Sequence, residues 1–529
     1  MNIRDLHRKL HIINYTDSHG RYLSQLGIDR EVKPFGLDRL SSYLKKLRKK
    51  GEPVLVIENG DSLQGPPLVD LHDYSSPKCE ELEHPLTIVQ RELGVDCFIP
   101  GNHEFNFGLE HIRRIRLESQ TPWLSANILK EETLEPYFQS SLLFPYPDLT
   151  VGILGVTTDF IPKWEHHAHI LGLEFENILT SVGQHIGELR KQCDYLIVVY
   201  HGGLERNPKT GDRYPGSVNS ENQGYALWQT FPEIDLLLLG HQHRLFAHRP
   251  PKGKGALILQ PACFGQHWAH VTLEYGQNRI KTKYRMVKAV NYAPDPELKK
   301  ALLPHLNYNQ QILDTVLGTV PASFRISDAM EQVWTTKHPF IQWIQNLMCQ
   351  MAGVEIAAIS LLDFSLTGLP HQVRMKDILS NYFFHDTFCI LRIQGKILRQ
   401  ALELTASFFS LQQCVGGRPK LCVNPVWSDT RVRSYNYDIW AGIEYSFDIR
   451  REVGSRVQSL RFKGRDIDDE ETLEVVVTSY RAGGAFYEMF SMDQVIQEFP
   501  TKITDLMIQD LMEKGNLDVE PIKNFKILY

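Results

Sequence analysis

The amino-acid sequence predicts a layered α/β domain followed by an α+β domain, and three observations carry the prediction. Near-continuous apolar runs of strand length recur through the first half, with amphipathic helical stretches between them, as expected for sheets covered on both faces. Five of those runs end within three residues of an Asp, Asn or His, and the carboxyl ends of buried strands are where open α/β sheets place ligands. At 529 residues the chain is also long enough to bury two or more cores.

In chain order, residues 11–16 read as the first strand and end at Asp17-Ser18-His19. Residues 37–49 follow, with Leu37, Leu40, Tyr43, Leu44 and Leu47 at helical spacing and a basic end explained by the helix dipole. Residues 54–57 form the second strand, ending at Asn59-Gly60-Asp61. The third, residues 95–99, is stopped by Pro100-Gly101, and Asn102-His103-Glu104 come next. After an apolar β passage at 151–156, residues 195–200 end at His201-Gly202-Gly203, and residues 234–239 end at Gly240-His241-Gln242-His243. A boundary falls after Val287, where Pro294-Asp295-Pro296-Glu297 caps a charged connector helix. The domains are read as 1–288, a connector at 289–316, and 317–529. The last mixes helices at 339–351 and 395–409, and another opening at 374–378, with strands at 388–393 and 473–478.

Composition narrows the function. The net charge of −6 gives no reason to expect a nucleic-acid polymer or an anionic membrane as partner. No run reaches the roughly 18 apolar residues of a membrane span. The first nine residues carry charge and no apolar core, so no secretory leader is expected at this end, although a trimmed secreted chain would look the same. The eight cysteines are sparse and form no Cys-x-x-Cys pair, which fits buried thiols in a reducing cytoplasm.

The donors at the five strand ends are Asp17, His19, Asp61, Asn102, His201, His241 and His243. Oxygen and imidazole donors without thiolate suit Mn, Zn, Fe or Mg rather than a structural zinc site. Seven are too many for one ion that keeps an open position, and about right for two ions sharing a carboxylate. A single such junction reads best as a capped loop; five with this donor set read as a metal centre.

Asp17-x-His19, Gly60-Asp61-x-x-Gln64-Gly65, Gly101-Asn102-His103-Glu104, His201-Gly202-Gly203 and Gly240-His241-x-His243 resemble the calcineurin-like metallophosphoesterases. More narrowly, they resemble the 5′-nucleotidase / 2′,3′-cyclic-nucleotide 2′-phosphodiesterase (3′-nucleotidase) family. The resemblance covers essentially the whole chain. It implies a metallophosphoesterase sheet sandwich with a C-terminal substrate-binding domain, and two divalent ions. One ion would sit on Asp17, His19, Asp61 and His243, the other on Asp61, Asn102, His201 and His241. Two such ions, with Asp17, Asp61 and a bridging hydroxide, leave net positive charge to attract a phosphate ester. Metal-bound hydroxide then makes a protein nucleophile unnecessary.

By the same resemblance His103 stabilises charge on the phosphoryl oxygens and protonates the leaving oxygen. Nucleotidases commonly pair this His with an Asp three residues on; this chain has Asn106. Either the imidazole is less basic or another acid such as Glu104 serves, and Asn106 points to the cyclic-nucleotide branch. Residues 165–169, Glu-His-His-Ala-His, read as solvated surface, and Trp123 and Trp164 as core or loop anchors.

In the second half, residues 434–438 and 479–487 resemble the segments in which two aromatic rings sandwich the base. That role is carried to Tyr437 and Tyr487, with Phe486 as the other candidate for the second ring. Ser360-Leu361-Leu362-Asp363-Phe364 stands where many 5′-nucleotidases have a Gly-rich segment with an Arg. The expected protein is a dimetal hydrolase of nucleotide phosphate esters (2′,3′-cyclic, 3′ or 5′) in nucleotide catabolism. The alternatives are a metallophosphatase for sugar or other small esters, and a catalytically silent nucleotide-binding protein.

Overall fold

The computed structural model describes residues 8–26, 32–70, 82–214, 221–251, 255–277, 279–363, 366–382, 386–412, 419–425, 434–484 and 486–529. The chain divides into two compact units, Met1–Gln310 and Gln311–Tyr529. Among the described residues no helix is long and apolar enough to cross a membrane. Cys79, Cys414, Phe364 and Ala485, all within stretches singled out above or in the cysteine count, lie outside the described residues.

In the first unit two sheets stack between two layers of helices. One sheet has the order Arg279–Lys288, His267–Gly276, Arg8–Thr16, Val54–Asn59, Cys97–Ile99; the other runs Leu245–His248, Leu257–Pro261, Leu236–Leu239, Tyr195–His201, Leu149–Thr157, Ser141–Tyr146. Within each sheet the strands that lead to the donor residues run parallel to one another. Strand alternation explains the continuous apolar runs. Leu10, Ile12, Leu55, Ile57, Ile197 and Val199 fill the space between the sheets, while Ile13, Tyr15 and Val56 turn to the helices Leu37–Arg48 and Pro85–Leu93. On the opposite face Leu196, Val198 and Tyr200 meet the helix Ile178–Gln192. These inner strands are buried on both sides, so both of their faces are largely apolar.

The stretch expected as a connector is two helices, Pro296–Ala301 and Leu303–Leu313, and its Leu298 and Leu302 are in the first unit's core. Asp295 caps the first of them and also accepts from Ser41 Oγ at 2.6 Å.

The second unit is built on a five-stranded sheet of order Asp438–Ala441, Ile356–Ser360, Thr472–Thr478, Phe388–Gln394, Val495–Phe499. Helices Pro339–Ala352 and Gly395–Ala406 pack on it. The second helix stops three residues before the expected end, because Phe409 starts a new strand, Phe409–Gln412.

Candidate metal centre

The donors come together because the parallel register brings their strands out at one level. Thr16 pairs with Asn59, Asn59 with Ile99, and Tyr200 with Leu239. The ends of the two sheets are then tied across the gap. Asn59 Nδ2 donates to the Tyr200 carbonyl at 3.2 Å, and His201 Nδ1 donates to the Asn59 carbonyl at 2.7 Å. Closure at this point requires glycine. A Cβ on Gly101 would lie 2.3 Å from Asp61 Oδ1, and one on Gly60 would lie 2.4 Å from His201 Nδ1.

Immediately beyond the strands the backbone turns left-handed at Asp17, His19, Asp61, His241 and His243, with φ between 43° and 67°. Each such L-residue costs on the order of 1 kcal/mol or more and persists only where its surroundings hold it. Here the restraints are explicit. Asp17 N–H donates to the Gly60 carbonyl and His19 N–H to the Asp61 carbonyl, at 2.9 and 2.8 Å. His241 N–H donates to the Asp17 carboxylate at 2.9 Å. Glu104, proposed above as a spare acid, is instead a buried staple: its carboxylate accepts from the N–H groups of Asp61, Ser62, Leu63 and Gly101. It faces backbone rather than the imidazole of His103, and that reading is corrected.

The donor atoms form two overlapping groups, Asp17, His19, Asp61 and His243, and Asp61, His201 and His241. Within each group they lie within 4.8 Å of one another. The imidazoles of His19, His201 and His241 are oriented through their other nitrogen, as metal-binding histidines are. His19 Nδ1 is 3.0 Å from Gln64 Oε1, leaving Nε2 towards His243 Nε2 at 2.9 Å. His241 Nε2 is held by Glu221 at 2.8 Å, leaving Nδ1 beside Asn102 Oδ1 at 2.9 Å. Sequence reasoning missed Glu221, which belongs to no strand end. His201 Nε2 is buried without a hydrogen-bond partner, 3.2 Å from Asp61 Oδ2. An orphaned imidazole nitrogen beside a carboxylate, and two ring nitrogens aimed at each other, are what a divalent cation would satisfy. The residues fit the metal.

Charge in the site is set by burial against pairing. Burial pushes the Asp61 carboxyl up, but the imidazoles of His201 and His103 outweigh it and hold it well below the usual range. Burial likewise raises Asp17, and the hydrogen bond and charge of His243 bring it below normal. Burial lowers His19 to about 4, so that ring is a neutral donor. Burial also lowers His201, but Asp61 reverses the shift and lifts it to about 9.

His103 stands on the lip of this cluster. Its N–H donates to Asp61 Oδ1 at 2.9 Å, and its ring meets that of His19 edge-on, 5.2 Å between centroids. Its Nδ1 lies 2.7 Å from Asn106 Oδ1. An amide oxygen only accepts, so Nδ1 carries the proton and Nε2 is the nitrogen free to exchange one. Asn106 Nδ2 in turn donates to Glu165 at 2.6 Å. The reading of residues 165–169 as bare surface is therefore corrected for Glu165, whose side chain is only 9% exposed. Trp164 stays 39% exposed, but its ring stacks on His241, 5.4 Å between centroids.

The expected aromatic clamp does not form on Tyr437 and Tyr487. Both are fully buried in the core of the second unit. Tyr437 donates to the Trp334 carbonyl at 3.0 Å and packs against Phe408 and Phe409. Tyr487 donates to the Asn436 carbonyl at 3.1 Å, with the Arg481 guanidinium over its ring and Phe490 stacked against it. Neither ring has a face to offer a base. Phe486 is partly buried against the same core, at a left-handed position. On the same two stretches the most exposed ring is Tyr480, half exposed; Tyr435, 6.3 Å from it between centroids, is partly buried against the core as Phe486 is.

Comparison with known proteins agrees with this architecture. Residues 5–245 match the calcineurin-like phosphoesterase family and residues 316–492 the 5′-nucleotidase C-terminal domain. A Yersinia enterocolitica protein named 2′,3′-cyclic-nucleotide 2′-phosphodiesterase/3′-nucleotidase is 24% identical over 89% of this chain and 80% of its own length. A Haemophilus influenzae protein of the same name is 22% identical over 98% and 87%. A solved Staphylococcus aureus structure with a provisional 5′-nucleotidase name superposes with a TM-score of 0.84 at 26% identity, covering 98% of this chain and all of that one. With both models matched in order around the site described, the chain is a two-domain protein with a calcineurin-like phosphoesterase domain followed by a 5′-nucleotidase C-terminal domain.

Proposed function

We propose that this chain hydrolyses phosphate esters of nucleotides at the Asp/His cluster of its first unit, with two divalent cations bound there. The observation that carries the reading is His201 Nε2, buried and without a hydrogen-bond partner beside Asp61. One cation would be held by Asp17, His19, Asp61 and His243, the other by Asp61, Asn102, His201 and His241. Bound there, divalent cations lower the pKa of water to near neutrality and polarise phosphoryl oxygens.

The chain's own part is to orient and to move a proton. Gln64, Asn59 and Glu221 fix which nitrogen of His19, His201 and His241 faces the centre. His103, with its Nδ1 proton committed to Asn106, can deliver a proton from Nε2 to the oxygen that leaves phosphorus. When the phosphorus–oxygen ester bond breaks, that proton ends on the departing sugar oxygen and the water oxygen remains on phosphorus. For the base, the reading shifts to Tyr480, half exposed where Tyr437 and Tyr487 are fully buried. The names of the Yersinia and Haemophilus relatives support nucleotides as the substrate class.

The test is a phosphate-release panel of 2′,3′-cyclic, 3′- and 5′-nucleotides and sugar phosphates, run on chelator-treated and metal-restored protein. We expect turnover to vanish on chelation and return with a divalent metal, with nucleotides preferred by about tenfold or more in kcat/KM, a 1.4 kcal/mol preference. Turnover indifferent to chelation, or a preference for sugar phosphates, overturns the proposal.

A further inference from the structure

The loop beyond the strand Leu149–Thr157 carries a carboxylate that faces neither solvent nor the metal cluster. Glu165 Oε2 accepts from Asn106 Nδ2 at 2.6 Å. Its other oxygen accepts from the His166 N–H at 3.0 Å and from His169 Nδ1 at 2.6 Å. The backbone around it is tightly wound: Trp164 N–H and Glu165 N–H both donate to the Ile161 carbonyl at 2.9 Å. Trp164 lies against the His241 ring, so one short loop touches both sides of the cluster.

A carboxylate accepts and cannot donate. Whatever touches Glu165 must therefore present a hydrogen, which fixes the Asn106 amide with Nδ2 towards Glu165 and Oδ1 towards His103. Oδ1 in turn requires a proton on His103 Nδ1. Two hydrogen bonds, both below 2.8 Å, thus transmit a choice of tautomer from Glu165 to His103. The carboxylate is also shielded from water, which keeps its charge effective at the length of one amide.

We propose that Glu165 is a positioning residue for His103, acting through Asn106: Glu165 fixes which way the Asn106 amide faces, and the amide fixes the His103 ring with Nε2 free to exchange the proton. The inference rests on the reading of His103 as the proton donor. Electrons and protons balance without a co-reactant, since Glu165 and Asn106 only hold hydrogen bonds while the proton moves at His103 Nε2.

The test is a double-variant cycle on the metal-loaded full chain. Glu165→Gln keeps an acceptor and removes the charge; kcat on nucleotides should fall about tenfold, the scale of one charge-assisted hydrogen bond, with KM and metal content unchanged. Asn106→Asp puts two carboxylates against each other and should also fall by about tenfold or more. Combining them exchanges carboxylate and amide along the same path, His103 to 106 to 165, and should recover activity to within about threefold of wild type. The Glu165→Gln loss should shrink on a nitrophenyl ester, whose leaving group needs no proton.

If the loop only scaffolds the site, the two losses add, the double variant is the worst of the three, and both ester types suffer equally; that result overturns the inference. His103→Ala is the control that separates levels. If it leaves kcat intact, the role of His103 falls and the inference with it. If it lowers kcat while the cycle shows no recovery, the inference alone is wrong.

Discussion

In the second unit the buried hydroxyl of Tyr487 meets Thr405 at 2.9 Å and the Asn436 carbonyl at 3.1 Å, whereas in the first unit the buried Nε2 of His201 has no hydrogen-bond partner. Both residues are polar groups taken out of water, and their surroundings treat them differently. Around Tyr487 the chain satisfies every demand of the hydroxyl, and Asp438 and Arg481 neutralise each other nearby at 2.8 Å. Around His201 the chain satisfies one nitrogen and leaves the other beside a carboxylate. Isolated orphans occur elsewhere, for example the Trp440 indole, but that N–H sits in apolar surroundings. What distinguishes the site is that the unmet nitrogen lies in a group of carboxylates and imidazoles from separate strand ends, their donor atoms within 4.8 Å of one another. A satisfied buried polar group is scaffold, however suggestive its sequence neighbourhood.

Asp61→Asn should break the comparison most severely. It removes the charge shared by both donor groups, and phosphate release should fall by about 10⁴-fold or more, because transition-state charge stabilisation is the largest catalytic contribution. Elemental analysis should show metal lost with it. Wild-type turnover with full metal content would end the shared-carboxylate assignment.

His103→Ala comes next. Metal content should stay, and kcat on nucleotides should drop by about 10²–10⁴, the range for a positioned acid. Steady-state kinetics on a nucleotide and on a nitrophenyl ester should give unequal losses, the second smaller; equal losses would leave charge stabilisation and remove the proton-donor role.

The smallest effects sharpen the contrast inside the second unit. Tyr480→Ala should raise KM for nucleotides by about 5- to 150-fold, the equivalent of 1–3 kcal/mol of stacking, and leave a base-free ester unaffected. Tyr487→Phe should do the reverse. It should cost about 1–2 kcal/mol through the orphaned Asn436 carbonyl, lowering the second unit's Tm by about 2–8 °C with kinetics unchanged. A nucleotide-specific KM effect in Tyr487→Phe, seen by calorimetry to be fully folded, would return the base contact to the buried pair.

The layered fold was legible because strands buried on both faces must be apolar throughout, and the residue after each strand cannot hide. Asp17, Asp61 and His241 were readable as a group for that reason alone. The clamp failed on local geometry. Tyr435 and Tyr437 are two residues apart, which in a strand would put them on one face, but the turn Ser434–Asn436 breaks the alternation and leaves only Tyr437 inside. Glu165 was invisible for another reason. Its partner Asn106 lies 59 residues away on a different loop, and no periodicity connects them.

The ties across the two sheets also order events in time. His241 N–H reaches an Asp17 oxygen 224 residues back, and His201 reaches Asn59 across 142. Contacts of that sequence separation close late, after loop entropy has been overcome. A growing chain therefore exposes Asp17, His19 and Asp61 long before His241 and His243 exist to join them. Until the strand Leu236–Leu239 and the residues after it have been made, Asp17, His19, Asp61, Asn102 and His201 lack the two imidazoles that complete the set of donors.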